Sequence, residues 1–349
     1  MGIDIQKTKQ DNLFNKQASR FNYIDFYKGI CTLFIIITHY KWTDDQRLTL
    51  LFPFWIQMAV PIFMVITGYV SALSLQRRQK GIFESYRPRP LIRKWSRFIV
   101  PFFPVFVFEL LYNTIIRHDR LSVLSSVEMF FGGGVGPGSY YFPIMLQVVI
   151  ILPIIYACIR KLKLIGLLAC FAINLIYEIL KNIIHMTPDM YRVSSLRYLF
   201  IIAYGCYLYI VKGEEGKPIK KIGYYSAGIV GFIYIIIFVY LGRTPAITNQ
   251  WTTTSLFSVL FIVPITYELI NGNISGIKCP VIELLGKASF DIFLMQMVYY
   301  EYFASKVYSL FSTSIFQILI NIIICCGFGL LYYNIEMPLS KRLIQRLSD

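Results

Sequence analysis

Ten apolar stretches succeed one another along this chain, at 24–40, 48–75, 98–116, 140–159, 164–181, 193–211, 222–241, 252–270, 288–304 and 313–335. A helix needs about 20 mainly apolar residues to cross the hydrocarbon of a bilayer. The pattern therefore predicts an all-α polytopic membrane protein with about ten transmembrane helices. Its expected parts are a tail at 1–23, a transmembrane domain at 24–340 and a second tail at 341–349. Composition agrees, with 56% hydrophobic and only 15% charged residues and a mean hydropathy of +0.58. A soluble domain sits near 45–50% apolar and about 25% charged. A disordered chain, a coiled coil and a disulfide-rich secreted module are excluded, and a soluble enzyme is disfavoured. Prolines within the runs (Pro61, Pro101, Pro104, Pro143, Pro153, Pro264) fit bundled membrane helices, where neighbours re-satisfy the freed backbone.

The charge balance is +15, from 34 Lys and Arg against 19 Asp and Glu. In a soluble protein that excess would suggest nucleic acid. Here its distribution decides. The segments 1–23, 76–97, 160–163, 212–221, 271–287 and 336–349 hold 24 of the Lys and Arg residues, and the alternate loops hold 8. Cytoplasmic loops carry the basic excess, so both termini are expected in the cytoplasm. The first run is then expected to be a retained signal anchor, and the expected location is the plasma membrane. Nucleic acid is not an expected partner.

Few residue types remain for chemistry. The seven cysteines form no CxxC pair and fall mostly within the runs, as small packing residues do. With three histidines (His39, His118, His185), no metal site is expected. The stretch Gly132-Gly-Gly-Val-Gly-Pro-Gly138 lacks the Lys-Ser/Thr of a phosphate-binding P-loop and reads as a flexible outer loop.

Ionisable groups inside membrane spans are costly, which makes them functional candidates. On the first helix Asp25, Lys28 and His39 share one face. Lys28 and His39, eleven residues apart, differ by about 20° in direction, and Asp25 and His39 by about 40°. His39 stands about 16 Å above Lys28 and about 21 Å above Asp25. A direct Asp25–His39 dyad is excluded, and a polar track running toward an imidazole is left. That imidazole is a candidate general base, or else a helix-end group bonded to a neighbour. Glu109 and Glu301 lie at comparable depth, about 16 and 20 Å along their spans. Either could orient His39, or pair with a basic residue. Arg93, Lys94 and Arg97 lie at the inner start of the third helix, where they suit anionic lipid or the phosphates of a cytoplasmic donor.

These residues resemble the integral-membrane acyltransferase-3 family, which modifies cell-surface polysaccharides and other exported molecules. Tyr23-Ile-Asp25-Phe-Tyr-Lys28-Gly29 followed by His39 is similar to its opening motif. Val60-Pro-Ile-Phe63-Met-Val-Ile-Thr67-Gly68-Tyr69 resembles its second-helix pattern, with Thr67 where Ser is usual. Arg93-Lys94-Trp-Ser-Arg97 with Pro101, and Gly138-Ser-Tyr140-Tyr141-Phe-Pro, resemble the openings of its third and fourth helices. Leu285-Gly286-Lys-Ala-Ser289-Phe290-Asp-Ile-Phe-Leu294 and Glu336-Met-Pro338 match its late helices. Two departures stand out: Gln296 replaces the second His of many relatives, and the basic pair is Lys94/Arg97 or Arg93/Arg97.

The resemblance implies transfer of an acyl group, usually acetyl, from cytoplasmic acyl-CoA to a hydroxyl on an extracytoplasmic glycan. Acyl-CoA would enter as a co-substrate, with no permanently bound cofactor. Lys28, Arg93, Lys94 and Arg97 would hold its phosphates. His39 would take the acceptor proton, with Glu109 behind it. Tyr140 and Tyr141 would meet the sugar, unless they are interfacial aromatics. Asp25 and Glu301 would shape the channel. Lipids, polysaccharide-assembly proteins or further copies of the chain are its expected partners. The alternative is a transporter or flippase of a lipid-linked saccharide, although the internal repeats common in transporters are not seen.

Overall fold

The computed structural model describes residues 23–78, 82–212, 221–242, 256–271, 279–311 and 313–346. Helix makes up 86% of it, with no strand among the described residues, so the all-α expectation holds. The expected tail at 1–23 lies outside the described residues except for its last position.

Among the described residues, ten helices lie along the apolar runs. They are α1 (23–38), α2 (Ala59–Arg78), α3 (Pro88–Leu111), α4 (Tyr141–Leu162) and α5 (Leu164–Ile183), then α6 (Leu199–Lys212), α7 (Ile222–Tyr234), α8 (Ile262–Asn271), α9 (Ser289–Val298) and α10 (Ser314–Arg346). Among the described residues, six helical stretches, containing α2, α3, α4, α5, α7 and α10, are long and apolar enough to cross a membrane. The runs at 24–40, 193–211 and 288–304, and the described part of the run at 252–270, form shorter or interrupted helices. The outward faces of α5 and α10 are apolar and exposed, with Ile165, Leu168 and Ile176 on one and Phe316, Leu319 and Ile323 on the other. Apolar surface this continuous does not face water; it is the surface of a membrane protein against lipid.

Close packing at the centre rests on missing side chains. A Cβ on Gly68 of α2 would lie 2.1 Å from the Ile202 carbonyl oxygen of α6, and one on Gly205 would lie 2.1 Å from that of Val65. The two backbones touch directly, as small residues permit in membrane bundles. The Cys206 thiol donates to the Gly68 carbonyl across the same contact, at 3.3 Å.

Two runs depart from their expected form. The stretch at 48–75 is not one helix. A short helix, Asp44–Thr49, is closed at its start by a Thr43–Gln46 capping box and is followed by 3-10 turns at Phe52–Phe54 and Ile56–Met58. Pro53 and a left-handed Leu51 (φ 57°) break the helix there. The last run was expected to end at 335, but α10 continues through Pro338 to Arg346, because the residues after the proline are good helix formers. Wide π turns also extend α3 at Tyr112–Ile116 and α9 at Tyr299–Phe303.

Candidate active site

His39 ends α1. Its backbone N–H bonds the Ile36 carbonyl at 3.3 Å, and the Tyr300 hydroxyl donates to the same oxygen at 2.7 Å. Tyr300 comes from the π turn after α9, a kind of distortion often found at functional sites. Its ring lies 5.8 Å from the imidazole, centre to centre. On another side stands Gly138 of the glycine-rich loop, with φ +91°. A Cβ there would meet Phe293 at 2.9 Å and His39 Nε2 at 3.5 Å. The left-handed backbone and the absent side chain together let this loop close over the imidazole.

His39 separates two hollows. One, of about 310 Å³, is largely apolar, with Ile35, Val60, Phe63, Phe290 and Phe293 in its wall together with Tyr140, Tyr141 and Gln296. The irregular segment after Asp44–Thr49 supplies Ile56 and Gln57 to it. The other, of about 450 Å³, is polar and is walled by Lys41, Gly136, Ser139, Glu301 and Ser305. His39 and Arg192 belong to both walls, and Arg47 to the first.

The structure thus brings His39 together with Tyr140 and Tyr141 in one cavity and with Glu301 in the other. Glu109 lines neither. Its fully buried carboxylate accepts the Val135 N–H at 3.2 Å, tying α3 to the glycine-rich loop. Glu301 accepts from Arg117 at 2.8 Å. Neither carboxylate hydrogen-bonds the imidazole among the described contacts. Near the N-terminal end of α1, Lys28 pairs with Asp25 at 3.3 Å. Arg93 and Arg97 are exposed on α3 and Lys94 is half-buried; none of the three lines either hollow.

Several participants were not assigned from sequence. Gln296 is fully buried, and neither its amide oxygen nor its nitrogen has a partner among the described residues. Such groups cost about 1–3 kcal/mol each when left unsatisfied, so the cavity wall carries polar capacity that the protein itself does not use. Its only sequence sign was the departure from His. Arg197, buried within an apolar run, sets its guanidinium 5.7 Å from the Tyr140 ring centre, and Arg192 sits 5.3 Å from the same ring. Behind them the Glu178–Lys181 pair (3.1 Å) is buried, and the Tyr191 hydroxyl donates to Glu178 at 2.6 Å. Burial, reinforced by the Glu178 carboxylate, holds the Tyr191 phenol well above its ordinary range and keeps it a donor. The sign for Arg197 was an arginine inside an apolar run, which is costly and hence functional by default.

Among protein families, the model named Acyl_transf_3 and described as an acyltransferase domain matches residues 21–333. Neither a curated protein nor a solved structure matches the chain.

Proposed function

Since this chain belongs to the membrane acyltransferase-3 family, we propose that it moves a short acyl group, acetyl first among them, from acyl-CoA to a hydroxyl of an extracytoplasmic glycan. The observation that carries this reading is the position of His39, set between a narrow apolar cavity and a polar recess. A thioester reaching His39 from one side and a hydroxyl from the other would meet at one imidazole.

The chemistry follows from that meeting. The imidazole nitrogen takes the hydroxyl proton as the oxygen attacks the thioester carbonyl. A C–O bond forms, the C–S bond breaks, and the proton passes to the leaving thiolate. The Gln296 amide, unsatisfied in the cavity wall, offers an N–H to the charge that develops on the carbonyl oxygen. Tyr140 and Tyr141 offer aromatic faces to a sugar. Glu109 acts through the loop, by holding Val135 and with it the strand of backbone that reaches Gly138. Lys28, Arg93, Lys94 and Arg97 are assigned to the CoA phosphates, with Asp25 neutralising Lys28 between turnovers.

The same reading places ten crossings in the plasma membrane, both termini inside and His39 toward the outer surface, in line with the distribution of basic residues. The test is purified protein with radiolabelled acetyl-CoA and a panel of glycans. Label appearing in glycan ester, and lost on mild alkali, supports acyl transfer. Absence of transfer across the panel, with movement of lipid-linked sugar in vesicles, would overturn it in favour of a flippase.

A further inference from the structure

Positive-inside topology accounts for the 24 basic residues on one side of the chain, but not for the other 8. Those on the outer side are Lys41, Arg47, Arg117, Arg120, Lys181, Arg192, Arg243 and Lys306. Three of them, Lys41, Arg47 and Arg192, line the two hollows that meet at His39. They come from separate segments: the end of α1, the short helix Asp44–Thr49 and the short helix Pro188–Arg192. Convergence of this kind is a product of the fold, since nothing in the local sequence requires it.

The charge in these walls is one-sided. The apolar cavity has Arg47 and Arg192 and no carboxylate. The polar recess has Lys41 and Arg192 against one carboxylate, Glu301, which Arg117 engages at 2.8 Å. Arg192 also lies 3.9 Å from Asp189, whose side chain is 91% exposed, so water screens that pair strongly. Behind Tyr140, the buried Arg197 adds a further positive charge. Clefts lined by one sign of charge raise the local concentration of ligands of the other sign, and the fork of a guanidinium suits carboxylate and phosphate alike.

Building on the acyl-transfer reading, we infer that the acceptor is an anionic glycan, one bearing a carboxylate or phosphate close to the hydroxyl that is acylated, and that Arg47 and Arg192 bind that group. Walls of one sign draw in an anionic glycan more strongly than a neutral one. An anion there also fixes register. With its acid held on the arginines, one hydroxyl of the sugar is set beside His39, which restricts acylation to that position.

The experiment uses the purified full-length protein, acetyl-CoA and the surface polysaccharide of the cells that make the protein, stripped of esters by mild alkali. Three forms of this acceptor are compared: untreated, carboxyl-reduced and phosphate-depleted. Transfer to the untreated form that falls at least tenfold on carboxyl reduction identifies a carboxylate, and an equal fall on phosphate removal identifies a phosphate. Arg47→Gln and Arg192→Gln should each raise the acceptor KM about tenfold with the acetyl-CoA KM unchanged, and added salt should raise the acceptor KM of the unaltered protein. Arg120→Gln, at an exposed outer arginine that lines neither hollow, is the control. Transfer that survives both treatments, or an acceptor KM indifferent to Arg47 and Arg192, overturns the inference and leaves acyl transfer standing. Absence of transfer to every form overturns the acyl-transfer reading itself.

Discussion

The buried carboxylate of Glu109, which lines neither hollow, accepts at 3.2 Å the backbone N–H of Val135, a wall residue of the polar hollow beside His39. A helix is thereby tied to the loop that closes over the imidazole. Cutting the tie should disturb catalysis without touching a reacting atom. Glu109→Ala removes the acceptor of the Val135 N–H, a hydrogen bond of a kind worth about 0.5–1.5 kcal/mol, and should lower kcat roughly ten- to a hundredfold with little change in acetyl-CoA KM. Glu109→Gln keeps an acceptor oxygen and should recover most of the rate. Steady-state kinetics of the two variants check this; equal losses in both would point to the charge and not to the tie.

His39→Ala should abolish transfer while the protein keeps its membrane level and its melting temperature, since the side chain lines hollows and fills no core. In the unaltered protein, transfer should decline on acidification with the slope of one proton, because only neutral imidazole accepts. A rate–pH profile beside a melting curve for the variant measures both. Turnover retained in His39→Ala would remove the general base from the mechanism.

Gln296 should show stability and activity moving in opposite directions. Its amide is fully buried with both polar atoms unsatisfied among the described residues. Gln296→Leu removes that burden while keeping much of the volume, so the melting temperature should hold or rise. Transfer should nonetheless fall at least tenfold, because the amide N–H that meets the carbonyl oxygen is gone. Thermal unfolding and kcat on one preparation decide it. A stable and fully active variant would make Gln296 a bystander.

Gly68 carries structure alone. In Gly68→Ala the new methyl would lie 2.1 Å from the Ile202 carbonyl oxygen, inside the contact distance of any real pair, so α2 and α6 must separate. Overpacking of this kind costs about 1–3 kcal/mol or more. The melting temperature should drop by several degrees, and the detergent-solubilised protein should lose activity in proportion to its folded fraction. An unchanged melting curve would mean that the two backbones do not meet as described.

Much of this protein is legible along the chain. Hydrophobic run length marks the helices, and basic residues by loop suggest the orientation. The 3.6-residue period sets Asp25, Lys28 and His39 on one face and rules out a direct Asp25–His39 bond. All of these are local properties, fixed by what a residue and its near neighbours do in a bilayer. Runs of apolar residues conceal local breaks, however, and the turns at Phe52–Phe54 and Ile56–Met58 became visible only in three dimensions.

Which side chains meet at His39 was decided by tertiary structure alone. Glu109 and Glu301 stood at similar depth in the sequence, and depth could not say that one binds a loop and the other an arginine. Tyr300 lies 264 residues from the Ile36 carbonyl to which it donates, and Arg192 and Arg47 approach the same cavity from distant segments. A period records the direction of a side chain about its own helix and says nothing about which other helix stands there. The rotation and spacing of neighbouring helices come from packing, down to the absent side chain at Gly68. Only that packing brings one histidine and arginines from distant segments to the walls of one cavity.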